Sequence, residues 1–183
     1  QLCSLLNHGS PDARKIVCLT LGLVGCDGCV TCLSLALHDD DPVVAELAEH
    51  AMWSIWFRCT RPRAADTFKL GLERMEAQDF DGAIQALTEA IDCTWRFAEA
   101  YNQRSIAYYM LERWEESIAD AERAIELEPV HFGAMAGMGH GYAHLGQLEE
   151  AARCYRDALA INPRLSAIAG ALARIEKRMD VPA

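Results

Sequence analysis

The sequence predicts an all-α solenoid, a stack of helix-turn-helix units. Two internal periodicities and one absence carry that expectation. Residues 64–165 divide without a gap into three stretches of 34 residues, 64–97, 98–131 and 132–165, and residues 1–63 hold two looser copies of a motif offset by 31. No apolar run approaches the ~18 residues that a membrane span needs, so no membrane is expected as a partner. A fixed period of this length marks units that cannot bury their apolar faces alone and therefore stack on one another.

In the first 63 residues, Leu2 falls on Leu33, Leu6 on Leu37, Pro11 on Pro42, Ile16 on Leu47 and Val24 on Ile55. In both copies an apolar helix ends in a polar turn, and a proline opens the next helix at its first turn, where its missing N–H costs nothing. This pattern resembles HEAT repeats, in particular the short HEAT-like type of bilin lyases and many bacterial scaffold proteins, with the first unit truncated. The chain opens at Gln1, and the shortened first helix predicts a fragment whose targeting segment, if it had one, precedes residue 1. The junction Thr60–Arg63 is too short for a flexible linker, so the two arrays are expected to abut as one rod.

From residue 64 the 34-residue units align where packing requires it. The eighth place holds Gly71, Ser105 and Gly139, and the twentieth holds Ala83, Ser117 and Ala151, small residues where two helices cross closely. The twenty-seventh holds Ala90, Ala124 and Ala158; Phe80, Trp114 and Leu148 open the second helices, and Pro129 and Pro163 break the chain into the next pair. Turns are expected at 77–79, 112–113 and 146–147. These residues resemble the tetratricopeptide repeat family over all three units, with Trp95 in place of proline and Arg74 in place of tyrosine as modest departures. The resemblance implies a right-handed stack of helix pairs whose concave face holds a partner's peptide or helix. Behind the units, residues 166–183 read as a capping helix and tail, with Leu165, Ile168, Leu172 and Ile175 on one stripe.

The family builds its groove from the first helix of each pair. Carried over place by place, the groove lining becomes Ala65, Phe68, Lys69, Leu72, Met75 and Glu76 in the first unit. It becomes Glu99, Asn102, Gln103, Ile106, Tyr109 and Met110 in the second, and Gly133, Ala136, Gly137, His140, Ala143 and His144 in the third. Chaperone-binding members clamp a C-terminal carboxylate with lysines, an arginine and asparagines; here Phe68, Leu72, Gln103, Gly133 and Gly137 stand at those places. The clamp is absent. Asn102 and Gln103 can still hydrogen-bond a partner backbone, and Phe68, Leu72, Met75, Ile106, Tyr109 and Met110 can take apolar anchors, which points to an amphipathic helix or an extended apolar peptide. Gly137, Gly139 and Gly141 weaken the first helix of the third unit, at ~1 kcal/mol each. Only Gly139 answers the family's packing need.

Charge is uneven. Residues 1–63 carry −2, residues 64–165 carry −9 and the tail +1, within a total of −10. An acidic array repels phosphate backbones, so nucleic acid is not an expected partner. His140 and His144 stand four apart on one helix face, the spacing of zinc enzymes, but Gly141 replaces the usual glutamate and no third ligand is near; a solvent-facing pair without metal is expected. Cys26, Cys29 and Cys32 have a spacing found in iron–sulfur or zinc ligation, yet lack a fourth cysteine close by. Packed as small hydrophobes they need no metal, while Cys18 and Cys59 are candidates to join them in space. Eight cysteines without a disulfide framework fit a reducing compartment and predict a cytoplasmic protein. No phosphate loop, nucleophile elbow or residue pair poised for acid–base chemistry is present, so no cofactor and no catalysis are expected. The sequence thus predicts a protein-interaction scaffold. A self-assembling scaffold, a metal or redox protein through the three cysteines, and a bilin-lyase-like protein are the competing readings.

Overall fold

The computed structural model describes residues 2–58 and 61–179. Among them the chain forms eleven α-helices, with no strand between them. Contacts group the residues into two compact units, Gln1–Arg58 with Ile161–Arg164, and Cys59–Ala160 with Leu165–Ala183. Part of the sequence-level junction, Thr60, and the tail from residue 180 lie outside the described residues, as does Cys59.

In the first unit, α1 (Leu2–His8) packs on α2 (Pro11–Val24), and α3 (Val30–Ala36) on α4 (Pro42–Trp56), with a short 3-10 turn at Asp27–Cys29 between the pairs. Pro11 and Pro42 stand at the first helical turns, as their fixed φ favours. The caps beside them are made by Ser10, whose hydroxyl accepts from the Ala13 N–H, and Asp41, whose carboxylate accepts from the Val43 N–H. The second helices, α2 and α4, cross closely: a Cβ on Gly22 would lie 3.2 Å from the Ala51 Cα. Arg14 ties α2 to the turn before α4, donating two hydrogen bonds to Asp39 at 2.7 and 2.8 Å and a third to the Gly9 carbonyl. The Arg58 guanidinium donates to the carbonyls of Gly22 and Gly25 and so satisfies the end of α2.

In the second unit, α5 (Pro62–Glu76), α6 (Phe80–Cys93), α7 (Ala98–Met110), α8 (Trp114–Leu127), α9 (Phe132–His144), α10 (Leu148–Ile161) and α11 (Ser166–Met179) follow in antiparallel succession. The small residues at the eighth and twentieth places do what their size allows. Ser105 and Ser117 meet with their hydroxyls 3.2 Å apart in the core, a Cβ on Gly71 would stand 2.7 Å from Leu87 Cγ, and one on Gly139 would stand 2.5 Å from the Tyr155 ring. Each turn between paired helices places its fifteenth-place residue in the left-handed region: Gln78 and Glu112 at φ 59° and Gly146 at φ 76°. Only the third unit gives that conformation to glycine, which adopts it freely.

Gly141 departs from the sequence-level expectation. A Cβ there would come within 2.7 Å of Ile118, so α8 packing requires the glycine; of Gly137, Gly139 and Gly141, Gly137, with nothing within 4 Å, is the one left open. Among the described residues no helix is long and apolar enough to cross a membrane.

Candidate partner-binding site

The first helices of the second unit lie side by side, α5 against α7 and α7 against α9. Their shared face is the candidate site. On α7, Gln103, Ile106 and Met110 recur at helical spacing and form one stripe. Ile106 and Met110 are 36% and 51% exposed, uncovered apolar side chains in the middle of the face. Leu72 and Met75 on α5 are half-buried and lean on the core between α5 and α6, while Lys69 is exposed and paired with Glu73 at 3.7 Å.

Two residues expected in the groove are elsewhere. Phe68 is only 4% exposed and packs against Phe97, with ring centroids 4.6 Å apart. Phe97, the last residue of its 34-residue unit, folds back under α5, so the aromatic pair belongs to the core and Phe68 offers no anchor to a ligand. Asn102 is 2% exposed, and its amide donates to the Glu99 Oε1 at 3.2 Å.

That glutamate is the centre of a buried polar cluster. His131 is fully buried and accepts the Ala134 N–H on Nδ1, which caps α9; its ring hydrogen therefore sits on Nε2, 2.8 Å from the Glu99 Oε2. Gln103 donates to the Glu99 Oε1 at 2.6 Å. Three donors thus converge on one buried carboxylate, which is how such a group is tolerated in a core. The cluster also orients the face: with its nitrogen committed to Glu99, Gln103 leaves its carbonyl oxygen without a hydrogen bond among the described residues. No spacing pattern in the sequence marks Glu99 and His131 as partners, because they stand at opposite ends of one unit, Glu99 on α7 and His131 capping α9, and meet only when α7 and α9 pack.

At the α9 end the face is aromatic. The His144 imidazole stacks on Trp114 at 4.2 Å and pairs with the Tyr109 hydroxyl at 2.8 Å. His140, expected to face solvent beside it, is instead half-buried, with Nδ1 2.7 Å from the Tyr155 hydroxyl. Burial, and secondarily the nearby His144, pull the His140 pKa below the ordinary histidine value, whereas burial pushes the Tyr155 phenol up to about 12. Both histidines are engaged by aromatic neighbours. Trp114, read in the sequence only as a helix opener, is the side chain that holds His144.

The cysteine motif is arranged as thiols. Cys26 is exposed beside the 3-10 turn, and Cys29 and Cys32 are half-buried, with the Cys32 thiol donating to the Cys29 carbonyl at 3.1 Å. Burial first, then a hydrogen bond with Cys3, push the Cys32 thiol up to about 12. Among the described residues no group of three or more His, Cys, Asp or Glu is placed to hold a metal ion.

The tetratricopeptide repeat family matches residues 98–129 and 133–165. The small glutamine-rich tetratricopeptide repeat-containing protein 2 of Saccharomyces cerevisiae is 31% identical over 102 residues, 56% of this chain and 30% of that protein. The chain therefore spans less than a third of that relative's length. The first tetratricopeptide domain of Spaghetti (RPAP3), solved with the HSP90 peptide SRMEEVD, superposes with a TM-score of 0.65 at 22% identity, over 66% of this chain and 95% of that one. MamA superposes with a TM-score of 0.62 at 21% identity, over 84% of this chain and 78% of that one. At these identities the two structures speak for the fold. The family match identifies residues 98–129 and 133–165 as tetratricopeptide repeats, and the superposed structures share the fold of an all-α solenoid.

Proposed function

We propose that the chain is a non-enzymatic adaptor that holds a peptide or an amphipathic helix of another protein on the face formed by α5, α7 and α9. The observation that carries this is the stripe of Gln103, Ile106 and Met110, where apolar side chains stand uncovered beside an unspent hydrogen-bond acceptor. Neighbouring helices hold the stripe in fixed register, so little ordering entropy is lost when a ligand docks. The Spaghetti domain, which shares the fold, is bound to an HSP90 peptide, which supports a peptide as the kind of ligand. The unpaired thiols of the described cysteines suit a reducing setting, and we place the protein in the cytoplasm on that ground.

The test is affinity capture with the wild-type chain and with Ile106→Arg, read by mass spectrometry, with circular dichroism showing both folded. A protein held by the first and lost with the second is the expected result. Identical lists from both would sink the groove as the binding site.

A second reading, self-association, is favoured by α2. Ile16, Leu19 and Leu23 are 63%, 50% and 78% exposed, opposite the core residues Val17, Cys18 and Leu21 of the same helix. Light scattering across a concentration series decides it: a mass that stays monomeric at all concentrations removes this reading.

A further inference from the structure

Resting on the adaptor reading above, the geometry points to the chemistry of the ligand: we infer that the α5–α7–α9 face selects a basic amphipathic helix and rejects an acidic C-terminal tail. Two independent observations lead there. The first is the polarity of the one free polar group in the middle of the face. Gln103 spends one of its two amide N–H groups on Glu99, 2.6 Å away, and its carbonyl oxygen, an acceptor, has no hydrogen bond among the described residues. Behind it lies the buried Glu99 side chain, on which the donors of Asn102, Gln103 and His131 converge. A lysine or arginine side chain, rich in donors, satisfies this group; a carboxylate has no hydrogen to give it.

The second is the charge around the apolar stripe. In α5, Glu76 occupies the place that Met110 holds in α7 and is exposed, and the single ammonium of the face, Lys69, is engaged by Glu73. Helix α9 brings no Lys, Arg, Asp or Glu at all. The 102 residues of the repeats hold 18 Asp or Glu against 9 Lys or Arg, and of those cations Arg74, Arg104, Arg113, Arg123 and Arg156 are each tied to a carboxylate. Lys69, with Glu73 3.7 Å away, is thus the one cation on the face that could meet a ligand's acid groups. The apolar part of the ligand meets Ile106 and Met110, and its close approach is permitted at Gly137, where the space above the helix is open. Charge of one sign around an apolar strip sets both partner choice and the rate of encounter.

The experiment is fluorescence anisotropy on the full chain with three labelled peptides. One is a synthetic amphipathic helix with a leucine stripe flanked by lysines, the second the same stripe flanked by glutamates, and the third SRMEEVD. The lysine peptide is expected to bind at least ~10-fold more tightly than either other peptide. Ile106→Asp and Met110→Asp, both at exposed positions and each adding a negative charge, should abolish that binding, and Gln103→Lys should weaken it. Equal or tighter binding of the glutamate peptide or of SRMEEVD, lost in Ile106→Asp, overturns the charge selection while leaving the groove reading intact. Lysine-peptide binding unchanged or strengthened by both Asp variants shows diffuse attraction to an acidic surface and overturns the inference. No binding by any of the three overturns it together with the groove.

Discussion

Replacing Gly137 and Gly139 by alanine, two residues apart on α9, should move stability in opposite directions. Both replacements gain the same backbone term, roughly 1 kcal/mol for alanine over glycine inside a helix. What differs is the space. At Gly137 the new Cβ meets nothing within 4 Å, so the gain is kept. At Gly139 it lies 2.5 Å from Tyr155 Cε1, 2.7 Å from Cδ1 and 3.3 Å from the Ala151 carbonyl oxygen. The ring cannot retreat: Tyr155 is 2% exposed and its hydroxyl is held by His140 at 2.7 Å. Overpacking of this kind costs ~1–3 kcal/mol, which outweighs the backbone gain and leaves Gly139→Ala less stable by ~1 kcal/mol. For a chain of this size each kcal/mol moves the melting temperature by about 2–4 °C. Urea denaturation followed by far-UV circular dichroism, with thermal melts beside it, reads both variants. A Gly139→Ala protein at or above wild type, or a Gly137→Ala protein below it, would refute the close crossing of α9 and α10 on which the reasoning stands.

Three further outcomes follow from the same geometry. Gln78→Gly should gain ~0.5 kcal/mol, because a left-handed φ penalises any residue with a Cβ by more than the entropy that glycine adds, while Gly146→Ala in the same register should lose ~1 kcal/mol; urea midpoints with unchanged slopes are the check. Asp120→Ala should cost ~3 kcal/mol, since Asp120 is 8% exposed and receives two hydrogen bonds from Arg104 at 2.6 and 2.8 Å, and its loss strands a guanidinium that burial already disfavours; a loss under ~1 kcal/mol would class the pair with surface ion pairs. For His140, whose folded pKa lies below that of the unfolded chain, the unfolded state binds the proton more readily. Its share of stability is therefore whole above the ordinary histidine value and declines as pH falls through that value toward the folded one. His140→Gln, which keeps a partner for the Tyr155 hydroxyl, should flatten the stability difference between pH 7.5 and 5.5, and an unaltered difference would place the pH dependence elsewhere.

What the amino-acid order determined by itself is the helix pairing of the second unit, and the reason is local. Small residues, prolines and turn residues at a 34-residue period specify where each helix starts, stops and is crossed, and those requirements act within one unit or between neighbours. The small Ser105 meets Ser117, and Pro129 and Pro163 follow the ends of α8 and α10, as their places demand. The face for a partner was legible as a set of positions but not as a set of exposed side chains. Whether Phe68 points to a ligand or to the core depends on Phe97, twenty-nine residues on, and whether Asn102 is free depends on Glu99 having been drawn in by His131. The same holds for Gly141, which only Ile118 of α8 explains, and for His140, which only Tyr155 of α10 removes from solvent. These outcomes were decided by tertiary structure because burial and hydrogen bonding are properties of pairs of elements in contact, and a periodic pattern states which helices form without stating which side chains the packing consumes.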